Sequence, residues 1–360
     1  MTGAHPTARA AADVDILVAG GGPAGLATAL HASRAGFTVA VAEPRTAPVD
    51  KACGEGLMPG GVAALHGLGV HPPGMPFAGI RYVAGARHAE ARFRADPGLG
   101  VRRTDLHDAL HDAVVKAGIA VLPAKVTGID QDPDGVTAHG PDLRARWLVA
   151  ADGLHSPLRR ALGLDAPAPG PPRYGLRRHY AVAPASEFVE VHWGARAEAY
   201  VTPVGPGLVG VALLTGERAP YDSQLAGFPE LAARLAGAEA VTPVRGAGPL
   251  HRRATHRRKG RVLLAGDAAG YIDAITGEGV ALALAGAELL VACLADGRPD
   301  AYERRWQGLT RRYRVLTGAL LRARRTPAAA RLIVPVARYV PGVFPAAVNA
   351  VAHRRGGFRG

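Results

Sequence analysis

Residues 13–43, DVDILVAGGGPAGLATALHASRAGFTVAVAE, decide the fold. Val14, Ile16, Leu17 and Val18 form a short, mostly β-branched run that stops at Gly20, which is how a strand buried on both faces of a parallel sheet reads. A helix follows at once. Leu26, Ala29, Leu30 and Ser33 keep one of its faces apolar or small, and Gly36 closes it as a C-cap. FTVAVAE is a second strand ending on Glu43. Between the first strand and the helix stands G-x-G-x-x-G. Gly20 permits a tight turn, Gly22 lets a pyrophosphate reach the helix N-terminus, and Gly25 lets helix and strand pack closely. Glu43, 18 residues after Gly25, is placed to accept hydrogen bonds from ribose hydroxyls. Strand, turn, helix, strand and acid in this order predict a Rossmann-like α/β domain that binds a dinucleotide.

The chain has 360 residues, enough for two closely packed domains or one large domain with an insertion. Its 43 Lys+Arg against 30 Asp+Glu give a formal charge of +13. The excess is mostly arginine in an Ala-, Gly- and Pro-heavy composition. With no aromatic-interleaved basic strand, zinc-finger spacing or basic heptad helix, nucleic acid is not an expected partner. The 14 histidines show no ligand spacing with Cys or Asp/Glu, so no metal is expected. Cys53 and Cys293 are too far apart in sequence for a disulfide framework, and a reducing cytoplasm is the natural setting. Residues 1–12 lack the apolar stretch of a secretory signal and read as a disordered lead-in.

Further motifs recur in order along the chain. RVLLAGDAAGYIDAITGEGVALALAGAELL, residues 261–290, gives a strand at Val262–Ala265, the pair Gly266-Asp267, and a glycine-bounded turn into an Ala/Leu helix. LVAADGLHSPLRR, residues 148–160, carries Asp152-Gly153 followed by Ser156 and Arg159. In RRTDLHDAL, residues 102–110, Arg103, Leu106 and Leu110 stand on helical spacing.

These segments resemble the Gly-Asp, Asp-Gly and Arg-x-x-Leu-x-x-x-Leu motifs of FAD-dependent oxidoreductases of the geranylgeranyl reductase-like and group A flavin monooxygenase (aromatic hydroxylase) superfamily. The resemblance spans most of residues 13–300. It implies a glutathione-reductase-type FAD-binding domain, an inserted antiparallel β-sheet substrate domain and a helical C-terminus. It further implies that Asp267, with Gly266, holds the ribityl chain, and that backbone N–H groups around Gly277, Glu278 and Gly279 face the pyrimidine edge of the flavin. A helix N-terminus there suits the negative charge of reduced flavin. Arg103 is expected near the pyrophosphate as a forked donor. Asp152, Gly153 and Val126 belong to the same cofactor set, as do Pro23 and Ala24 at the first turn and Pro44 and Arg45 beside Glu43.

The expected division assigns 12–75, 98–165 and 255–300 to the FAD-binding domain. Residues 76–97 and 166–254 form the substrate domain, and 301–360 a C-terminal helical segment. Strands such as EFVEVHW and GLVGVALL would make an antiparallel sheet whose apolar face roofs the flavin. His179, His192 and Trp193 either line that pocket or take sheet-packing and solvent positions.

DKACGEGLMPG, residues 50–60, resembles the Lys-x-Cys-Gly segment of geranylgeranyl-reductase-like proteins, where the loop passes the flavin. On that resemblance Cys53 and Glu55 are candidate catalytic residues and Cys53 and Gly54 also touch the cofactor. Alternatively, Cys53 is a small buried hydrophobe and the glycines let the loop hug the cofactor. The chain departs from archaeal prenyl reductases at their Tyr-x-Trp-x-Phe-Pro strand: Glu198, Tyr200 and Thr202 precede Pro203, so two aromatic rings are missing. Tyr200 and Pro203 remain the candidate substrate residues. The Trp-x-Trp-x-Ile-Pro pattern of tryptophan halogenases is absent as well.

Residues 301–325 read as an amphipathic helix with arginines on one face. RLIVPVARYVPGVFPAAVNAVAHRR is apolar with basic ends, but Pro335, Pro341 and Pro345 should break it, and Arg338 lies inside it, so it is not expected to span a membrane. It either packs over the substrate domain or lies on an anionic membrane. No second glycine fingerprint follows a strand. That pattern resembles single-component hydroxylases, which NAD(P)H visits transiently. The expected activity is NAD(P)H- and O2-dependent hydroxylation of an aromatic or polyketide-like lipophilic molecule. The alternatives are reduction of a C=C bond in a prenyl-type substrate and a non-catalytic flavin-binding protein.

Overall fold

The computed structural model describes residues 12–340 and 342–352. The lead-in at 1–11, Pro341 and the tail at 353–360 lie outside the described residues. Five strands, in the spatial order Val262–Leu264, Leu143–Ala150, Val14–Ala19, Val39–Ala42 and Ala120–Leu122, form the parallel part of an eight-stranded sheet. Ile16, Leu17, Val18, Leu148, Val149 and Val262 to Leu264 are sealed from solvent. That is why these runs are uninterruptedly apolar.

Helices Pro23–Arg34 and Gly279–Ala295 pack against one another over this sheet. From Val14–Ala19 the chain moves outward to Val39–Ala42 on one side, while Leu143–Ala150 lies on the other. A crevice therefore opens at the carboxyl ends of these central strands, where ligands bind in such sheets.

A second eight-stranded sheet holds Tyr174–Ala181, Leu208–Thr215, Ala197–Gly205, Phe188–Trp193, Gly79–Ala84 and Arg87–Arg92 in spatial order. It is not purely antiparallel as expected. Phe188–Trp193 runs parallel to Gly79–Ala84, because these strands come from two separate excursions of the chain and no hairpin joins them. One face of this sheet is covered by Tyr221, Leu225, Phe228, Leu231 and Leu235. The opposite face looks toward the crevice.

The C-terminal part is helical over Ala301–Arg325, Pro327–Tyr339 and Val343–Ala352. Contrary to expectation Pro335 does not break its helix, which continues to Tyr339. Pro345 is accommodated in the first turn of the next helix, where a missing N–H costs nothing. Among the described residues no single helix is long and apolar enough to cross a membrane.

Candidate active site

The three glycines of the first turn do different physical work. Gly20 has φ +112°, and a Cβ there would lie 2.5 Å from the carbonyl oxygen of Ala151. A Cβ on Gly25 would stand 1.9 Å from the carbonyl oxygen of Gly20, so helix and strand approach as closely as backbones allow. Around Gly22 a Cβ would meet nothing within 4 Å. That open space lies on the wall of a cavity, and the helix N-terminus at Gly22 carries no side-chain cap. Its first N–H groups are therefore available to a ligand.

Glu43 is buried, and its carboxylate accepts hydrogen bonds from the Gly21 N–H at 2.8 Å, the Arg45 N–H at 3.0 Å and the Arg45 guanidinium at 2.8 and 2.9 Å. Burial alone would raise its pKa, but these donors hold it below the usual carboxylate value. His107 donates from Nε2 to the carbonyl oxygen of Gly21 at 2.9 Å, buttressing the turn from behind. Burial, aided by the Arg103 guanidinium, lowers its pKa to about 4, so the ring is neutral.

The cavity, of about 1110 Å³, begins at Gly22, Pro23 and Ala24 and continues past Arg103, Asp152, Gly153, Gly266 and Asp267 to Gly277 and Gly279. The structure thus brings together on one wall residues from four separate stretches of sequence. Arg103 is 5% exposed, yet its Nη1 has no protein partner, and neither does Oδ1 of Asp152. Burial raises the pKa of Asp152. Two unpartnered buried polar atoms beside an uncapped helix N-terminus are what a pyrophosphate and a polyol chain require, so these residues fit FAD.

Arg159 ties the two later motifs together. Fully buried, it donates to the carbonyl oxygens of Leu154 at 3.1 Å and Ala268 at 3.1 Å, and is ion-paired with Asp165 at 2.7 Å. The Asp152-Gly153 loop is thereby stapled to the Gly266-Asp267 turn. Lys51 reaches Asp267 at 3.3 Å.

The loop carrying Cys53, Gly54 and Glu55 lines the next stretch of wall and is held from three directions. Thr202 donates to the carbonyl oxygen of Gly54 at 2.7 Å. The carboxylate of Glu55, a residue with φ +61°, accepts from the Arg103 N–H at 2.8 Å and from His179 Nε2 at 2.7 Å. Arg177 lies 3.7 Å from the same carboxylate and is also paired with Asp50. Glu55 thus holds the backbone of this loop in place. Burial, reinforced by the nearby Glu55, pushes the Cys53 thiol pKa up, so it stays protonated.

Beyond the loop the walls are apolar. Residues two apart along each strand share a face. Tyr82, Val191, Tyr200 and Ala212 accordingly form one row across four strands in direct register and face the cavity. Tyr200 fixes its ring by donating its hydroxyl to the carbonyl oxygen of Ile275 at 2.8 Å.

Several expected residues lie elsewhere. His179 pairs with Glu55, His192 with Glu190 at 3.0 Å, and neither lines the cavity, nor does Trp193. Pro203 is also off the wall, with its carbonyl packed against Gly100. Gly20, Gly25, Glu43, Val126 and Glu278 sit behind the lining, Val126 within the core of the parallel sheet, and Pro44 is exposed and off the cavity wall.

The two missing aromatic positions are explained by the surroundings. Thr202 holds Gly54, as above. Glu198, with no solvent exposure, binds Arg173 at 2.6 Å and also Arg324 of the Ala301–Arg325 helix. Arg173 in turn pairs with Asp273 at 2.9 Å. This knot clamps the C-terminal helix and the Tyr271–Gly277 loop onto the sheet. The outer part of the cavity is closed by that helical segment through Leu320, Ile333, Phe344 and Val348. Sequence reasoning left open where these helices pack, because their apolar faces are equally suited to protein and to lipid.

A family model described as FAD binding domain matches residues 13–200. The menaquinone reductase of Mycolicibacterium smegmatis is 28% identical over 337 residues, 82% of this chain and 80% of its own length. The 3-amino-4-hydroxybenzoate 2-monooxygenase of Streptomyces cremeus is 30% identical over 331 residues, 80% of each chain. The fold is shared with p-nitrophenol 4-monooxygenase of Pseudomonas putida, with a TM-score of 0.79 and 21% identity, covering 95% of this chain and 98% of that one. The family match over more than half of the chain and the cradle built by Gly22, Arg103, Asp152 and Asp267 lead to one assignment: this chain belongs to the FAD-binding domain family and is an FAD-dependent oxidoreductase.

Proposed function

We propose that this enzyme hydroxylates an aromatic or polyketide-like lipophilic molecule, using NAD(P)H as a transient electron donor and dioxygen as oxidant. The observation that carries this reading is the continuity of the cavity. One space runs from the dinucleotide turn, past Cys53, into a chamber walled by Tyr82, Val191, Tyr200, Leu214 and Ile275. FAD, when bound, supplies the relay of two electrons from NAD(P)H to dioxygen. One oxygen atom enters a C–H bond of the substrate. The other leaves as water, so that one substrate C–H, O2, NAD(P)H and one solvent proton give C–OH, NAD(P)+ and H2O.

The protein's contribution is positional. Arg103 and the Gly22 turn hold the pyrophosphate, Asp267 holds the polyol chain, and the apolar chamber excludes water from the reacting face. Cys53 remains a neutral thiol and does not act as a nucleophile.

A second reading is favoured by one observation, the protonated Cys53 on the cavity wall beside the cofactor cradle. In that reading hydride passes to one carbon of a C=C bond and a proton to the other. The menaquinone reductase relative is in keeping with it.

Oxygen dependence separates the two. With labelled dioxygen and a lipophilic aromatic substrate, NAD(P)H oxidation should match incorporation of one labelled oxygen per product. Anaerobic saturation of a double bond at undiminished rate would overturn the hydroxylase reading.

A further inference from the structure

Helix Pro327–Tyr339 presents three faces. At roughly 100° per residue, Arg331 and Arg338 share one side, Leu332, Val336 and Tyr339 occupy the next, and Ile333 and Ala337 turn toward the cavity. The middle side is open to solvent: Leu332 is 56% exposed, Val336 41% and Tyr339 67%, and the patch continues through Val340 and Val343. Leu332, Val336 and Val343 also line the cavity. The exposed apolar patch is therefore the rim of the cavity's outer mouth.

The charge on the helices that carry that rim has one sign. Between Arg304 and Ala352 the chain has ten arginines and no aspartate or glutamate. Some are committed inward, such as Arg324 to Glu198. Arg322, Arg325, Arg331 and Arg338 are exposed, and none has an acidic partner among the described residues. An apolar strip edged by unpaired guanidinium groups is the pattern of a helix lying in the plane of an anionic bilayer, with apolar side chains among acyl chains and cations among headgroup phosphates. A protein partner would need a complementary acidic rim around an apolar plug. A bilayer offers both over any outline, and it also dissolves lipophilic molecules at the level of the mouth.

We infer that this face docks on an anionic membrane and that the substrate enters the cavity laterally from the bilayer between Leu332, Val336 and Val343. The delivery of substrate rests on the lipophilic substrate class proposed above; the docking does not.

The test uses FAD-loaded full-length protein and sedimentation with vesicles of phosphatidylglycerol and phosphatidylcholine, against vesicles of phosphatidylcholine alone. Binding to the anionic vesicles is expected, weakening on the order of tenfold or more at high salt. The pair Arg331→Glu and Arg338→Glu should reduce it at least as much while retaining FAD. Tyr339→Glu with Val340→Glu, both exposed and off the cavity wall, should reduce it as well.

Three results would overturn the inference: no sedimentation with anionic vesicles, equal sedimentation by all variants, or a stable dimer without vesicle binding that Tyr339→Glu with Val340→Glu dissociates. Because the readout is binding, it stands or falls separately from oxygen-dependent turnover. If vesicle binding holds but no lipophilic substrate is hydroxylated, the functional reading fails and the docking surface remains.

Discussion

Nε2 of His179 donates a hydrogen bond to the Glu55 carboxylate at 2.7 Å, joining a buried strand of the second sheet to the loop beside the cofactor cradle. Arg177 donates to Nδ1 of the same ring at 3.2 Å, which leaves Nε2 to carry the hydrogen. Replacing His179 with Ala should leave one carboxylate oxygen buried and unpartnered. A loss of about 1–3 kcal/mol in urea unfolding is expected. FAD titration should show weaker binding, because the Cys53–Glu55 loop loses one of its anchors. Unchanged stability and affinity would mean that the loop is held by Thr202 and Arg103 alone.

Glu198 is the acid in a clamp with Arg173 and Arg324. Glu198→Ala removes one buried charge, leaving Arg173 with Asp273 and Arg324 with only the carbonyl oxygens of Gly194 and Ala195, and breaking a buried pair in this way typically costs about 3–5 kcal/mol. Unfolding should show a loss of that order. Protease cleavage within Ala301–Arg325 should become faster as the helix detaches from the sheet.

The glycine turn yields a contrast. Gly25→Ala places a methyl group 1.9 Å from a carbonyl oxygen and should cost about 3 kcal/mol or more, with or without cofactor. Gly22→Ala meets no protein atom within 4 Å. Apoprotein stability should change by less than about 0.5 kcal/mol, while FAD affinity falls on the order of tenfold because the methyl group faces the pyrophosphate. Equal effects of the two substitutions on apoprotein stability would contradict these roles.

Cys53 is held protonated by burial and by the nearby Glu55. Alkylation by iodoacetamide at neutral pH should be slow. Cys53→Ala should keep most of the oxygen-dependent turnover. A drop of about 10²–10⁴-fold would instead indicate a lost proton donor and favour double-bond reduction.

His107 gives the fold a pH dependence with a definite sign. Its ordinary pKa is 6.5 and its native value about 4, set by burial first and by Arg103 second. Between these two values the unfolded chain binds a proton that the native state refuses. Stability is therefore complete above pH 6.5, falls as pH drops toward 4 and levels off below it. Thermal melts of His107→Gln should decline by several degrees less than wild type across this window. Parallel declines would assign the effect to other groups.

The order of residues 13–43 alone predicts the parallel sheet, the glycine turn and a dinucleotide ligand. Those features are local: a β-branched run, a glycine where only glycine fits and an acid a fixed distance along the chain carry their physics within about thirty residues. The partners of single side chains were not local. Glu55 reads as a candidate catalytic acid until folding places His179, 124 residues away, against it. Glu198 reads as a lost aromatic ring until Arg173 and Arg324 converge on it. Pro335 reads as a helix break, yet the helix runs through it to Tyr339, with the neighbouring Val334 only 2% exposed. Which sheet face lines the cavity and where the C-terminal helices settle depend on burying apolar area between segments that meet only in the folded chain. Tertiary structure alone decided both.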